Sequence, residues 1–350
     1  MSFYPPISEV NLNELVSRTW QDNILFNVLL ELTYQCNLDC FFCYNDRSLE
    51  GKPLELNRYH KLLRELADLG VLNLVLSGGE PLAHPGFWKI GSWARELGFV
   101  IRIKSNGHAL RPDVARRLKQ EIDPFVVDIS LHGANEDAHD RQTRVPGSFR
   151  QLMRNLVSLR EEGVRVKLNA TLTAWNEHQL EAMYELADSL GFLLHVDPQV
   201  TPRDDGDRTP QTIRASDAAL QRLEELLRKR NPQTGPGCDG MDLSAGERKH
   251  CGTGSSSLAI DPYGNVYPCV ALRRSLGNLH EKTVREIWYG NPVLEEVRDS
   301  MREVARQVDV LEKEGKSLRF CPGQAHALSG NPADVHVVAR LTVNPPLRKG

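Results

Sequence analysis

Between residues 24 and 198 the chain repeats one pattern six times: a short apolar run followed by a more polar stretch. The runs are "ILFNVLLELT" (24–33), "VLNLVLSGG" (71–79), "FVIRIKSNG" (99–107), "FVVDISLHG" (125–133), "VRVKLNATLT" (164–173) and "FLLHVDP" (192–198). They are short, continuous and rich in β-formers, the pattern of buried strands. Between them, apolar residues fall at helical spacing over 54–70, 86–99, 111–122, 147–163 and 176–191. The first two of these segments stop at Gly70 and Gly98, a helix-ending signal, and Ser148 is placed to cap the fourth. Strands alternating with helices over short connections predict an α/β fold with a parallel sheet and right-handed crossovers. Six units make either an open doubly wound sheet or a barrel short of the full eight. In both, a site forms at the carboxyl ends of the strands.

The pattern breaks after residue 198. A polar loop (201–212), a helix over 216–230 with Ser216 as its cap, and a linker (231–240) precede a small second domain. The expected division is an N-terminal extension (1–23), a partial-barrel core (24–200), a linker loop and helix (201–235) and a small α+β domain (236–350). In 350 residues, 40% apolar and 25% charged, a core of normal size is available. A net charge of −3 excludes the basic footprint of a nucleic-acid binder. No segment approaches the roughly 20 apolar residues of a membrane span. The N-terminal "MSFYPPISEVNLNE" lacks a basic segment followed by an apolar run, so a secretory signal is not expected.

Seven cysteines are an odd number, and Cys36, Cys40 and Cys43 crowd into eight positions as C-x3-C-x2-C. That triplet cannot pair within itself without strain. It predicts a reducing cytoplasm and metal ligation rather than disulfides. The cysteines sit among Asn37, Asp39 and Asn45, in a polar loop and not on an apolar stripe. A structural zinc site wants four ligands, and no obvious fourth lies nearby. An iron–sulfur cube fits better, because three thiolates leave one iron open to another ligand.

C-x3-C-x2-C with an aromatic, Phe42, before the last cysteine resembles the signature of the radical S-adenosylmethionine (radical SAM) enzymes. The resemblance implies a [4Fe–4S] cluster on Cys36, Cys40 and Cys43 whose open iron chelates SAM. It implies reductive cleavage of SAM to a 5′-deoxyadenosyl radical that takes a hydrogen from substrate. "SGGEP", Ser77–Pro81 at the end of the second strand, is similar to the family motif that receives the SAM ammonium. Gly78 and Gly79 suit close backbone approach, and Glu80 suits a cation. "SNG" and "DISLHG" resemble the next two strand ends. By that likeness Asn106 and Ser130 are expected at the cofactor, with Arg144 or Arg141 at its carboxylate and Asn169 facing it.

Four cysteines remain. Cys251, Gly264 and Cys269 are spaced C-x12-G-x4-C around "SSLAIDPYGNVYPC", which reads as a β-hairpin turning at "DPYGN". The spacing looks like the opening of the SPASM and twitch extensions of radical SAM enzymes. Only Cys321 follows where a full SPASM pattern has a dense cysteine block. That departure implies one auxiliary [4Fe–4S] cluster on Cys251, Cys269 and Cys321. Cys238 is the candidate fourth ligand; without it, an iron is open or takes a non-cysteine ligand. A zinc site on four cysteines is the alternative.

The resemblance implies an enzyme that crosslinks or oxidises a ribosomally made peptide or protein. Small-molecule oxidation in tetrapyrrole, sugar or antibiotic biosynthesis is a second reading, and a non-catalytic iron–sulfur or zinc scaffold a third. The expected partners are the substrate, an electron donor such as flavodoxin or ferredoxin, and a separate leader-binding protein, since residues 1–23 are too short for a recognition module. Neither nucleic acid nor membrane is expected. His195, Asp197, Asp204, Asp205 and Asp207 sit where substrate could lie, and read first as a solvated loop.

Overall fold

The computed structural model describes residues 12–230, 249–313, 316–318, 320–335 and 341–343. The strands β1 (Asn27–Glu31), β2 (Asn73–Ser77), β3 (Val100–Ser105), β4 (Val126–Ser130), β5 (Val166–Thr171) and β6 (Leu193–Asp197) lie in sequence order and are parallel throughout. Consecutive order decides between the two expected architectures. A doubly wound sheet reverses direction and carries helices on both faces. Here each crossover steps the same way, giving an unclosed six-stranded barrel with its helices outside and a lumen inside.

The main crossover helices are α2 (Leu56–Asp68), α3 (Phe87–Glu96), α4 (Pro112–Glu121), α6 (Ser148–Glu161) and α7 (Leu180–Leu190); α1 (Leu12–Gln21) precedes β1 and α5 (Glu136–Thr143) precedes α6. Their apolar stripes meet the outward residues of the strands. Leu62 and Leu66, Ile90, Leu118, and Leu152 and Leu156 pack with Leu74, Leu76, Ile101, Ile103, Val127, Ile129 and Leu168 in one buried cluster. Each such side chain contributes roughly 1.5–3 kcal/mol by leaving water.

The helical spacing does not foresee α5, because "EDAHDRQT" carries almost no apolar residues. Asn135 caps it, its side chain accepting from the Ala138 N–H. The expected Ser148 cap is corrected: Gly147, at φ +79°, is the cap residue of α6 and Ser148 is the first helical residue. Asp140 of α5 accepts from the Ser148 hydroxyl at 2.7 Å and from the Phe149 N–H at 2.8 Å, so the capping carboxylate comes from the preceding helix. Ser216 does cap α8 (Asp217–Arg230), its Oγ accepting from the Ala219 N–H at 3.2 Å.

The expected hairpin forms as β7 (Ser257–Ile260) and β8 (Asn265–Tyr267), with β9 (Gly277–Asn278) beside it. It does not stand apart. β7 pairs parallel with β1, and the sheet runs β6-β5-β4-β3-β2-β1-β7-β8-β9. Beyond it come α9 (Val284–Trp288), α10 (Pro292–Lys313), β10 (Lys316–Leu318), α11 (Pro322–Ser329) and β11 (Leu341–Val343), which pairs with β10. Among the described residues no helix is long and apolar enough to cross a membrane.

Candidate active site

A cavity of about 770 Å³ opens at the carboxyl ends of β1–β6. Cys36, Cys40 and Cys43 line it, with Phe42, Gly78, Gly79, Asn106, Ser130 and Asn169. The cysteine loop leaves β1 and runs beside the β2 end. The Gly79 N–H donates to Thr33 O at 2.7 Å and the Glu80 N–H to Gln35 O at 2.9 Å. This ladder explains the two glycines. A Cβ on Gly78, which has φ +131°, would stand 2.3 Å from Thr33 O, and one on Gly79 2.5 Å from Gln35 O.

Glu80 does not line the cavity. It is buried, and its carboxylate accepts from Ser105 Oγ at 3.0 Å and from the Asn106 N–H at 2.9 Å, tying the β2 end to the β3 end. Burial pushes its carboxyl up to about 7, against the pull of those hydrogen bonds. Asn106 in turn reaches Asn37 Oδ1 at 2.8 Å and lies 3.6 Å from the Cys36 sulfur.

Arg144 is not in the cavity wall. It sits at φ +56° after α5, pairs with the Asp39 carboxylate and donates from Nε to Asp39 O at 2.7 Å. Arg141 lies over the Trp175 ring at 4.6 Å. The Asp39 N–H also donates to Thr143 O, and that of Phe41 to Gln142 O. The α5 end is therefore a clamp on the cysteine loop.

His132, inside "DISLHG", is a further residue of the cavity wall. Its ring packs edge-on to Phe42, with centroids 4.7 Å apart. Burial lowers it to about 3, and its Nδ1 accepts from the Thr171 N–H at 3.2 Å. Neutral imidazole with Nδ1 accepting carries its proton on Nε2.

The solvated-loop expectation for the last acidic group is corrected in part. His195, Asp197 and Asp204 line the cavity. Asp205 is exposed and Asp207 half-buried in a turn where the Asp207 N–H donates to Asp205 Oδ1 and Asp207 pairs with Arg203. Burial raises Asp204 to about 7, opposed by Arg273, which pairs with it at 3.0 Å.

The second cysteine set approaches the same cavity from the other side. Cys251 precedes β7, Cys269 follows β8 and Cys321 caps the start of α11. Burial raises Cys251 to about 11, with Cys269 and Cys321 near enough to add to the rise. Residues next to the latter two, Val270, Ala271, Gly323 and Gln324, line the cavity. Gly323 lets α11 press on the Cys269 loop: a Cβ there would stand 2.3 Å from Ala271 O. Cys238 lies outside the described residues.

These residues fit iron–sulfur ligation. Burial also raises the Cys36, Cys40 and Cys43 thiols, and a bound metal reverses that by taking up the thiolates. Among the described residues no three His, Cys, Asp or Glu converge on a single-ion site. The Leu38 N–H, 3.4 Å from the Cys36 sulfur, supplies the kind of donor that tunes cluster thiolates. Buried Asn45 Oδ1 and Arg273 Nε, whose residues line the cavity, have no hydrogen-bond partner among the described residues.

Comparison with known proteins agrees. The model of the radical SAM superfamily matches residues 30–187, and that of the SPASM iron–sulfur cluster-binding domain matches residues 251–313. The chain is 30% identical over 321 residues to the PqqA peptide cyclase of Ruegeria pomeroyi, covering 87% of this chain and 84% of that one. It is 26% identical over 324 residues to an AdoMet-dependent heme synthase of Methanosarcina barkeri, covering 86% and 92%. Streptococcus suis SuiB bound to precursor peptide SuiA shares the fold, with a TM-score of 0.65 at 17% identity over 79% of this chain and 67% of that one. The chain belongs to the radical SAM superfamily and carries a SPASM iron–sulfur cluster-binding domain.

Proposed function

We propose that this enzyme modifies a ribosomally made peptide or protein, by crosslinking or oxidation, in the cavity between its two cysteine sets. One observation carries the reading: a single cavity is walled by Cys36, Cys40 and Cys43 and by the segments that follow Cys269 and Cys321. Substrate held there meets both redox sites at once. Similarity to the PqqA peptide cyclase and the fold shared with peptide-bound SuiB support a peptide substrate. Similarity to the heme synthase favours a tetrapyrrole as the second reading.

When bound, SAM and its cluster supply a carbon radical that takes a hydrogen from an unactivated C–H bond. The chain's own part is to hold and shield. On this reading Cys36, Cys40 and Cys43 hold the SAM cluster, and Phe42, Gly78, Gly79, Asn106, Ser130 and Asn169 form the SAM wall. Glu80 acts from behind that wall by fixing Asn106, and Arg144 by fixing the cysteine loop through Asp39. Cys251, Cys269 and Cys321, with Cys238 as fourth, hold one auxiliary [4Fe–4S] cluster. Residues 24–200 serve as the radical core, 201–235 as linker and 236–350 as the auxiliary domain. A flavodoxin or ferredoxin supplies electrons, and a separate protein presents the peptide leader.

Anaerobic reconstitution with iron and sulfide, then SAM and dithionite, tests the activity. Release of 5′-deoxyadenosine is expected. None, with the cluster absorbance intact, overturns the reading.

A further inference from the structure

Along β3, buried Ile101, Ile103 and Ser105 alternate with the more open Arg102 and Lys104. Lys104 lines the cavity and is exposed within it. Its register partner across the sheet is Asp128 of β4, which alternation also turns inward. An ammonium beside a carboxylate normally pairs with it. Here the carboxylate is already taken. Arg102 Nη2 donates to Asp128 Oδ2 at 2.8 Å and to Oδ1 at 3.0 Å, and Arg102 Nε to Oδ2 at 3.2 Å. Asn169 Nδ2 adds a donor to Oδ1 at 3.1 Å. The Lys104 ammonium makes no hydrogen bond or ion pair with any described residue. The other cations in the wall are engaged: Arg47 by Asp39, Arg203 by Asp207, and Arg273 by Glu31 and Asp204.

A substrate that fills the cavity takes water from this ammonium. An unpaired charge is costly to bury, whereas a charge-assisted hydrogen bond to an anion is favourable. We propose that Lys104 anchors a carboxylate of the substrate and so selects an acidic group close to the reacting bond. This rests on the reading that the cavity is the reaction chamber. A peptide offers the group as an Asp or Glu side chain, a tetrapyrrole as a propionate.

Two probe pairs separate those sources: acetyl-Gly-Gly-Glu-Gly-Gly-amide against its Gln counterpart, and mesoporphyrin against its dimethyl ester. Each is titrated into reconstituted enzyme at saturating SAM, by anaerobic calorimetry. In at least one pair the carboxylate form binds wild type about tenfold or more tightly. Lys104→Met removes that gap and Lys104→Arg retains most of it, which separates a lost charge from a misfolded variant. No gap in wild type with either pair, absence of binding included, overturns the proposal. So does a gap that survives in Lys104→Met, or a fall in SAM affinity alone, which would assign Lys104 to the SAM carboxylate. Wild type that releases 5′-deoxyadenosine yet shows no gap sinks only the Lys104 assignment; wild type that releases none sinks the reaction-chamber reading.

Discussion

Arg273 grips Glu31 with both terminal nitrogens, Nη1 to Oε2 at 2.9 Å and Nη2 to Oε1 at 3.0 Å. Glu31 is the last residue of β1, immediately before the first cysteine loop, and Arg273 lies four residues after Cys269. The Tyr34 and Tyr44 hydroxyls both donate to Glu31 at 3.1 Å. The Glu31 side chain is 0% exposed and that of Arg273 15%, so this pair is not a solvated surface bridge. It is a mechanical link between the two cysteine sets.

Removing one partner strands a buried charge. Arg273→Met is expected to cost roughly 3–5 kcal/mol. The double variant Arg273→Met with Glu31→Gln should recover part of that. Urea unfolding of the three proteins measures it. A single variant within about 1 kcal/mol of wild type would show that the link carries no stability.

Glu80 predicts a pH dependence whose sign is opposite to that of a salt-bridged carboxylate. Its carboxyl stands near 7 in the native state against an ordinary 4.5. Below about pH 4.5 it is protonated in both folded and unfolded chains, and its contribution is fully present. As pH rises through 7 that contribution is lost, about 3 kcal/mol for a shift of this size. Glu80→Gln, which stays neutral and still accepts from Ser105 and Asn106, should flatten this part of the stability profile. Identical profiles for the two proteins between pH 4.5 and 8 would refute the assignment.

Gly78→Ala should be poorly tolerated. The positive φ alone costs about 1–3 kcal/mol for an L residue, and the new methyl meets a backbone oxygen that cannot rotate away. The cysteine loop must move to relieve it. Expected are lower stability in urea and reduced iron uptake after reconstitution; iron uptake equal to wild type would contradict the close-approach argument.

Cysteine sets that ligate independently leave separable iron. A triple variant with Cys36, Cys40 and Cys43 changed to Ala should retain about four irons per chain if the second set holds a [4Fe–4S] cluster. The reciprocal Cys251, Cys269 and Cys321 triple should retain a similar number at the first site. Iron and sulfide assays count both, and no iron on the first triple variant would remove the auxiliary cluster.

The sequence by itself determined the repeating units and the chemistry of their ends. Strand runs such as 71–79 and 125–133, and the C-x3-C-x2-C loop, are local signals, because periodicity and motif spacing act over a few residues. The unclosed barrel and the β7–β8 hairpin follow that reading, and Cys36, Phe42, Asn106 and Ser130 lie in the wall of one cavity. Only the tertiary structure decided what the polar residues do. Glu80 turned from the cavity to bond Ser105, Arg144 turned to Asp39, and Asp204 turned to the cavity wall to meet Arg273. Each partner lies tens of residues or more away in the chain, so the choice is set by which groups the fold brings together: Glu80 and Arg273 find partners in the interior, whereas Arg144 meets Asp39 at the surface. The pairing of β7 with β1 is of the same kind. It depends on an edge left open by a barrel that stops at six strands, which no local pattern encodes.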